Sequence, residues 1–178
     1  MVVLDAAMTL DGFWADESGK SVFPVREMHE EGLVEALSSR TGAVIMSDRS
    51  FRMSADPDWY ADHYELQCPI WVITDRPPAT KPKENSRLTF TFLADFTEAL
   101  AAARSAAVDK DVMLIGEASM AQMALDADAV DELVLRIVPR LLGRGVPLFR
   151  DQVPRDFSRK SVILSRTATH VTFVRNGR

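Results

Sequence analysis

The sequence predicts an α/β fold: a mixed, mostly parallel sheet flanked by helices and closed by an antiparallel hairpin at the C-terminal end. Three observations predict it. Short apolar runs alternate with segments of helical period as far as Val130, and that alternation requires crossover connections between parallel strands. Two final strand-like runs, Ser161 to Ser165 and His170 to Arg175, lie so close together that a hairpin is their natural connection. The chain of 178 residues, 47% hydrophobic and 26% charged, has the composition of a globular protein. Its length suits one domain over residues 1–178, able to remove roughly 70% of the unfolded surface from water.

Each element has its own signal. Residues 1–8 form an apolar run interrupted by Asp5, and the polar Thr9-Leu10-Asp11-Gly12 follows, as in a buried strand feeding a turn. From Met28 to Ser39 the period is helical, with Leu33, Ala36 and Leu37 on one side and Glu27, Glu30, Glu31 and Glu35 on the other; Gly42 ends the helix. Ala43 to Met46 reads as a short buried strand leading to Ser47-Asp48-Arg49-Ser50. Pro69 precedes a strand at Ile70 to Thr74, and the three prolines between Arg76 and Pro82 make that segment a loop. After a strand at Leu88 to Phe92, Asp95 and Glu98 form a helix-capping pair, followed by Phe96, Leu100, Ala103 and Ala107 at helical spacing. Asp111 to Ile115 is a strand and Gly116-Glu117 a turn. Ser119 to Ala127 is a helix presenting Met120, Met123, Ala124 and Ala127, and Leu133 to Val138 is a strand. In such sheets ligands bind at the carboxyl ends of the strands, where the loops Met8 to Gly12, Ser47 to Ser50, Thr74 to Arg76 and Gly116 to Ser119 would gather.

Composition excludes several classes of function. The 26 acids outnumber the 21 bases, for a formal charge of -5, and no run of Lys or Arg exceeds two, so no nucleic-acid partner is expected. The start lacks a basic segment and no stretch of ~20 apolar residues occurs, so the protein is expected off the membrane and in the cytoplasm. Cys68 stands alone and reads as a buried structural thiol. His29, His63 and His170 have no spacing typical of a metal site, and no metal is expected.

The most specific signal runs from Val112 to Phe149. Val112-Met113-Leu114-Ile115-Gly116-Glu117-Ala118 is followed by Val130-Asp131-Glu132-Leu133 and then by Ile137-Val138-Pro139-Arg140-Leu141-Leu142-Gly143-Arg144-Gly145-Val146-Pro147-Leu148-Phe149. With Thr9-Leu10-Asp11-Gly12, Met46, Trp59, the strand at Trp71 and the closing hairpin, this resembles the reductase domain of bacterial riboflavin biosynthesis. That domain belongs to the dihydrofolate-reductase-like superfamily, and the likeness covers essentially the whole chain. The resemblance implies hydride transfer from NADPH to a pterin, pyrimidine or related small heterocyclic substrate, in a homodimer. It places the nicotinamide beside Ala7, Thr9 and Gly12. Cofactor phosphates fall to Arg49, Ser50, Thr74, Arg76, Gly116, Ala118 and Ser119, and substrate to Asp5, Glu31 and Met46. Asp5 or Asp11 would position or protonate that substrate.

Several positions depart from the family pattern. Glu117 stands where a second glycine lets the backbone approach a pyrophosphate at a helix N-terminus. A dihydrofolate-reductase-like cis peptide at Gly116-Glu117 would cost ~3 kcal/mol. Asp48 stands where Arg is usual, and Asp75 where the family often has Ser-Arg. Three acids thus face the expected anion, and near the adenosine ribose they would favour NADH, because an acid accepts from a 2′-hydroxyl and repels a 2′-phosphate. Asp5 sits in the middle of an apolar strand, where burial costs several kcal/mol unless the acid is paired; it faces either a ligand or solvent. Asp11 suits acceptance of backbone hydrogen bonds in its turn, and Asp131, Glu132, Gly143 and Gly145 are architectural. Three functions stay open: a nicotinamide-dependent reductase, a reductase fold that has lost its dinucleotide and binds a small molecule or protein partner, and non-redox chemistry in the same cleft.

Overall fold

Strands form where β-branched and aromatic residues run together, and helices where alanines and leucines recur at intervals of three and four. The computed structural model describes residues 1–21, 23 and 31–177. They fall into two units, one comprising Met1 with Gly32–Ile115 and the other Val2–Glu31 with Gly116–Arg178.

In the first unit, helix α1 (Glu31–Arg40) leads into β3 (Thr41–Ser47), the earlier strands β1 (Val2–Thr9) and β2 (Phe13–Ala15) belonging to the other unit. Two short helices, α2 (Asp48–Phe51) and α3 (Trp59–His63), precede β4 (Ile70–Ile73), β5 (Phe90–Leu93), α4 (Phe96–Ala107) and β6 (Asp111–Gly116). The strand order is β5-β4-β3-β6, and every pairing is parallel. Ala43, Val44, Ile45 and Met46 are all buried, as parallel strands covered on both faces require. Asp95 caps α4 by accepting from Glu98 N at 2.7 Å, and the helix buries Phe96, Ala99, Leu100, Ala103 and Ala107. It packs on β3, β4 and β5. Phe51 lies 5.8 Å from the ring of Tyr60 and 5.6 Å from that of Phe90, so α2 and α3 are held by an aromatic cluster rather than by helical periodicity. Burial, with Glu65 adding to it, pushes the Tyr60 hydroxyl up to about 12, and that hydroxyl donates to the carbonyls of Ser50 and Phe51. Cys68 is buried and its thiol is pushed up to about 11, which fits a structural thiol.

Two expectations change here, and part of a third lies outside the described residues. The helix predicted from Met28 is seen from Glu31, and Glu27, Met28, His29 and Glu30 lie outside the described residues. Its half-buried stripe is Leu33, Val34 and Leu37, while Ala36 is exposed. Gly42 does not end the helix. Thr41 does, its hydroxyl donating to Leu37 O at 2.7 Å, and Gly42 lies within β3.

In the second unit β1 (Val2–Thr9) pairs in parallel with β7 (Glu132–Val138). Strand β7 pairs antiparallel with β10 (Thr169–Arg175), and β10 with β9 (Phe157–Leu164), which completes the hairpin. A separate two-stranded sheet joins β2 (Phe13–Ala15) to β8 (Val146–Pro147). Neither short strand carries enough alternation to show in the sequence. Helix α5 (Ala118–Asp126) packs on β1 and buries Met120, Ala121, Ala124 and Leu125; Met123 is half-buried and Ala127 exposed, so its core face is turned from the predicted one. Asp131 fixes the start of β1 in both directions: its carboxylate accepts from Val2 N at 2.8 Å, and its amide donates to Val2 O at 2.9 Å. The fold is the mixed, mostly parallel α/β arrangement with a terminal antiparallel hairpin that the sequence pattern predicts.

Gly42 supplies a direct test of the α4 packing. A Cβ there would sit 2.8 Å from Ala107 O and 2.8 Å from Lys110 Cβ. Gly42→Ala is expected to destabilise the protein by about 1–3 kcal/mol, read as a lower urea midpoint at unchanged slope.

Candidate functional site

The turn after β1 is built by two side chains. Thr9 is buried; its hydroxyl donates to Asp11 Oδ1 at 2.6 Å and accepts from Phe13 N at 3.0 Å. Asp11 in turn accepts from Leu142 N at 3.0 Å and from Gly143 N at 2.7 Å. The Thr9 hydroxyl bond holds the Asp11 carboxyl below the usual carboxylate range; burial opposes it, and the Gly143 and Leu142 amides assist. Asp11 is therefore held as an acceptor by one hydroxyl and two backbone amides. Leu10 N donates to Arg140 O and Leu148 N to Gly12 O, both at 2.9 Å, so the Thr-Leu-Asp-Gly turn is clasped to the Leu-Leu-Gly-Arg-Gly segment. Ala7 is buried beside this turn.

Asp5 is 8% exposed, which excludes the solvent-facing alternative. Both its oxygens are taken by Arg136 of β7, Oδ1 by Nη1 at 2.5 Å and Oδ2 by Nη2 at 2.8 Å. Asp5 is opposite Val134 and Ala7 opposite Arg136, so the ion pair runs diagonally across one face of the two strands. His170 is opposite Arg136 on β10; it too is buried, its Nε2 3.1 Å from Ser165 Oγ. Sequence reasoning missed Arg136. The signal was present, since Asp5 and Arg136 are the lone charges inside two apolar runs and each needs a partner.

Gly116 and Glu117 form the other half of the second unit's candidate site. A Cβ on Gly116 would lie 2.8 Å from Ala6 Cβ and 2.9 Å from Asp5 O, so contact with β1 already requires glycine. Glu117 has extended backbone (φ -112, ψ 176) and is the N-cap of α5. Its carboxylate accepts from Ser119 N at 3.1 Å, from Met120 N at 3.2 Å and from the Ser119 hydroxyl, and the residue is 4% exposed. Ala118 is half-buried and Ser119 exposed. The Gly116-Glu117 peptide is trans, in place of the cis bond that the likeness implies.

The remaining predicted residues, Glu31 apart, belong to the first unit. Ser47 caps α2, its hydroxyl accepting from Ser50 N at 3.2 Å, and Ser50 is buried. Met46 is wholly enclosed within β3 at 1% exposure. Arg49 is exposed. Asp48 pairs with Arg52 at 2.7 Å, and Arg52 Nη2 donates to Arg76 O at 3.1 Å, which ties the second loop to the third. Thr74 is buried and its hydroxyl accepts from Arg76 N at 3.0 Å, while the Asp75 and Arg76 side chains extend into solvent. Glu31 opens α1, and its side chain lies outside the described residues. Among the described residues, no group of three or more His, Cys, Asp or Glu could hold a metal ion.

A profile of the RibD C-terminal domain matches residues 1–173. The chain belongs to that family. Solved structures agree on the fold of this RibD C-terminal domain. A protein ascribed to riboflavin biosynthesis from Shewanella sp. PV-4 superposes with a TM-score of 0.75 at 22% identity, covering 99% of both chains. A diaminohydroxyphosphoribosylaminopyrimidine deaminase/5-amino-6-(5-phosphoribosylamino)uracil reductase from Thermotoga maritima gives 0.67 at 18% identity; the match covers 98% of this chain and 56% of that one. Dihydrofolate reductase from Enterococcus faecalis, complexed with NADP(H), gives 0.63 at 14% identity over 99% and 97% of the two chains. No curated protein matches. Among the described residues, no helix is long and apolar enough to cross a membrane.

The family implies a nicotinamide dinucleotide whose pyrophosphate would sit on the first turn of α5. That turn does not fit the group. Two of its amides and a hydroxyl are already bonded to the buried carboxylate of Glu117, and any phosphate oxygen placed there would meet a like charge.

The Asp5–Arg136 pair predicts strong coupling. Asp5→Leu or Arg136→Leu alone leaves an unpaired charge in a mostly buried place and is expected to cost about 3–5 kcal/mol. The double substitution should recover most of that loss, read from denaturant midpoints in a double-mutant cycle. Simple addition of the two losses would show that the charges do not support each other.

Proposed function

We propose that this chain is an oxidoreductase acting on a small pterin, pyrimidine or related heterocycle, similar to 5-amino-6-(5-phosphoribosylamino)uracil reductase. The observation that carries this reading is family membership over residues 1–173. NADPH or NADH would supply the hydride in such a reaction. Asp11, ionised and bonded to the backbone, sets the turn beside Ala7 and Thr9 where the nicotinamide is expected. Asp5, with its charge balanced by Arg136, is the acid available to orient a substrate nitrogen or hydroxyl.

A second reading is favoured by Glu117, which occupies the helix terminus a dinucleotide would use. In it the fold is kept, the dinucleotide is lost, and a small molecule or protein partner is bound or turned over without redox chemistry.

The two readings separate in one assay. Purified protein is mixed with NADPH or NADH and a panel of dihydropterins, dihydrofolate and the ribosylamino-pyrimidine, and the absorbance of the reduced nicotinamide is followed. The first reading expects substrate-dependent oxidation with at least one member of the panel. No oxidation by the protein, nor by a Glu117→Gly variant shown to bind cofactor, would remove it.

We also propose that the protein works as a cytoplasmic homodimer joined through β9. Among the described residues this strand pairs only with β10, and it leaves Val162, Ile163 and Leu164 at 47%, 44% and 77% exposure. An exposed apolar strand edge is an invitation to pairing. Sedimentation should give a dimer, and Ile163→Lys with Leu164→Lys should shift it to monomer without loss of fold.

A further inference from the structure

Glu117 is an unusual choice for a helix cap. Short side chains such as Ser, Thr, Asp and Asn are preferred at this position because they reach the N2 and N3 amides directly. Glu117 must fold a longer chain back on itself, and it does so while buried at 4% exposure, at the cost of its rotamer freedom. What it gains is a complete set of donors: the amides of Ser119 and Met120 and the Ser119 hydroxyl. This is the donor set, aligned with the helix dipole, that binds a carboxylate or phosphate brought from outside. The helix has nine residues, long enough for that dipole to develop.

The neighbouring glycine separates two roles that a Gly-Gly pair would merge. Gly116 is required by its contact with Ala6 and Asp5, whatever is bound. Residue 117 carries no such requirement, because its backbone is extended and open to any residue type. Its identity therefore decides whether the α5 terminus stays open to an external anion. In the first unit, Asp48 likewise engages Arg52 at 2.7 Å, so that cation too is matched by an acid of the chain itself.

We infer that Glu117 is an intramolecular competitor for the cofactor's pyrophosphate: its carboxylate fills the anion position at the N-terminus of α5, and a dinucleotide binds there only by displacing that carboxylate. The inference rests on the cofactor part of the proposed function and sharpens it. Nicotinamide dinucleotides bind this chain weakly compared with a variant lacking the acid.

The test is a titration of the full chain with NADPH and with NADH, followed by tryptophan fluorescence, on the unmodified protein, Glu117→Gly and Glu117→Ser. The serine variant keeps a short cap and guards against loss of α5 in the glycine variant; denaturant midpoints confirm that both fold. Both variants are expected to bind at least one dinucleotide about tenfold or more tighter than the unmodified protein. Equal binding by all three overturns the inference and leaves the proposed function standing. No binding by any of them overturns both the inference and the nicotinamide reading. Tighter binding by the variants with no turnover of the substrate panel upholds the inference and overturns the proposed reaction.

Discussion

Burial of β1 is the constraint on which the second unit depends. Seven of its eight residues are buried, so each polar group in or beside it must find its partner inside the protein. The amide of Val2 goes to Asp131, the carboxylate of Asp5 to Arg136, and the hydroxyl of Thr9 to Asp11. The close approach of the chain at Gly116 is set by the same strand. The segments most diagnostic of the family are those that satisfy or accommodate β1.

This division of labour explains why the Thr-Leu-Asp-Gly turn and the Leu-Leu-Gly-Arg-Gly segment occur together. Asp11 accepts from the amides of Leu142 and Gly143, and the chain closes on itself through Leu10, Arg140, Gly12 and Leu148. An acceptor held by so many donors fixes the turn. Asp5 differs, because its partner is a single guanidinium, that of Arg136 on β7.

Much of the fold was legible because periodicity and burial agree in long elements. Strand β1, the core of β3, helix α4 and the closing hairpin follow from runs of apolar residues and from the Asp95 cap. What escaped were elements held by contacts distant in sequence. Helices α2 and α3 depend on the Phe51–Tyr60–Phe90 cluster, and β2 and β8 exist through pairing with each other. Gly42 misled for the same reason: its smallness serves Ala107, far along the chain, and not the end of the preceding helix.

The sequence by itself determined the α/β class, the order of the main elements, the family and the positions where this chain departs from it. Those are properties of local pattern and residue identity. Only the tertiary structure decided what the departing acids do. Asp48 and Glu117 could be read as charges facing an expected anion, yet one is paired with Arg52 and the other is folded onto its own helix. Asp75 extends into solvent, and Asp5 answers to an arginine on another strand. The physical reason is that a carboxylate's role is set by the donors that surround it in space, and those donors are assembled by folding.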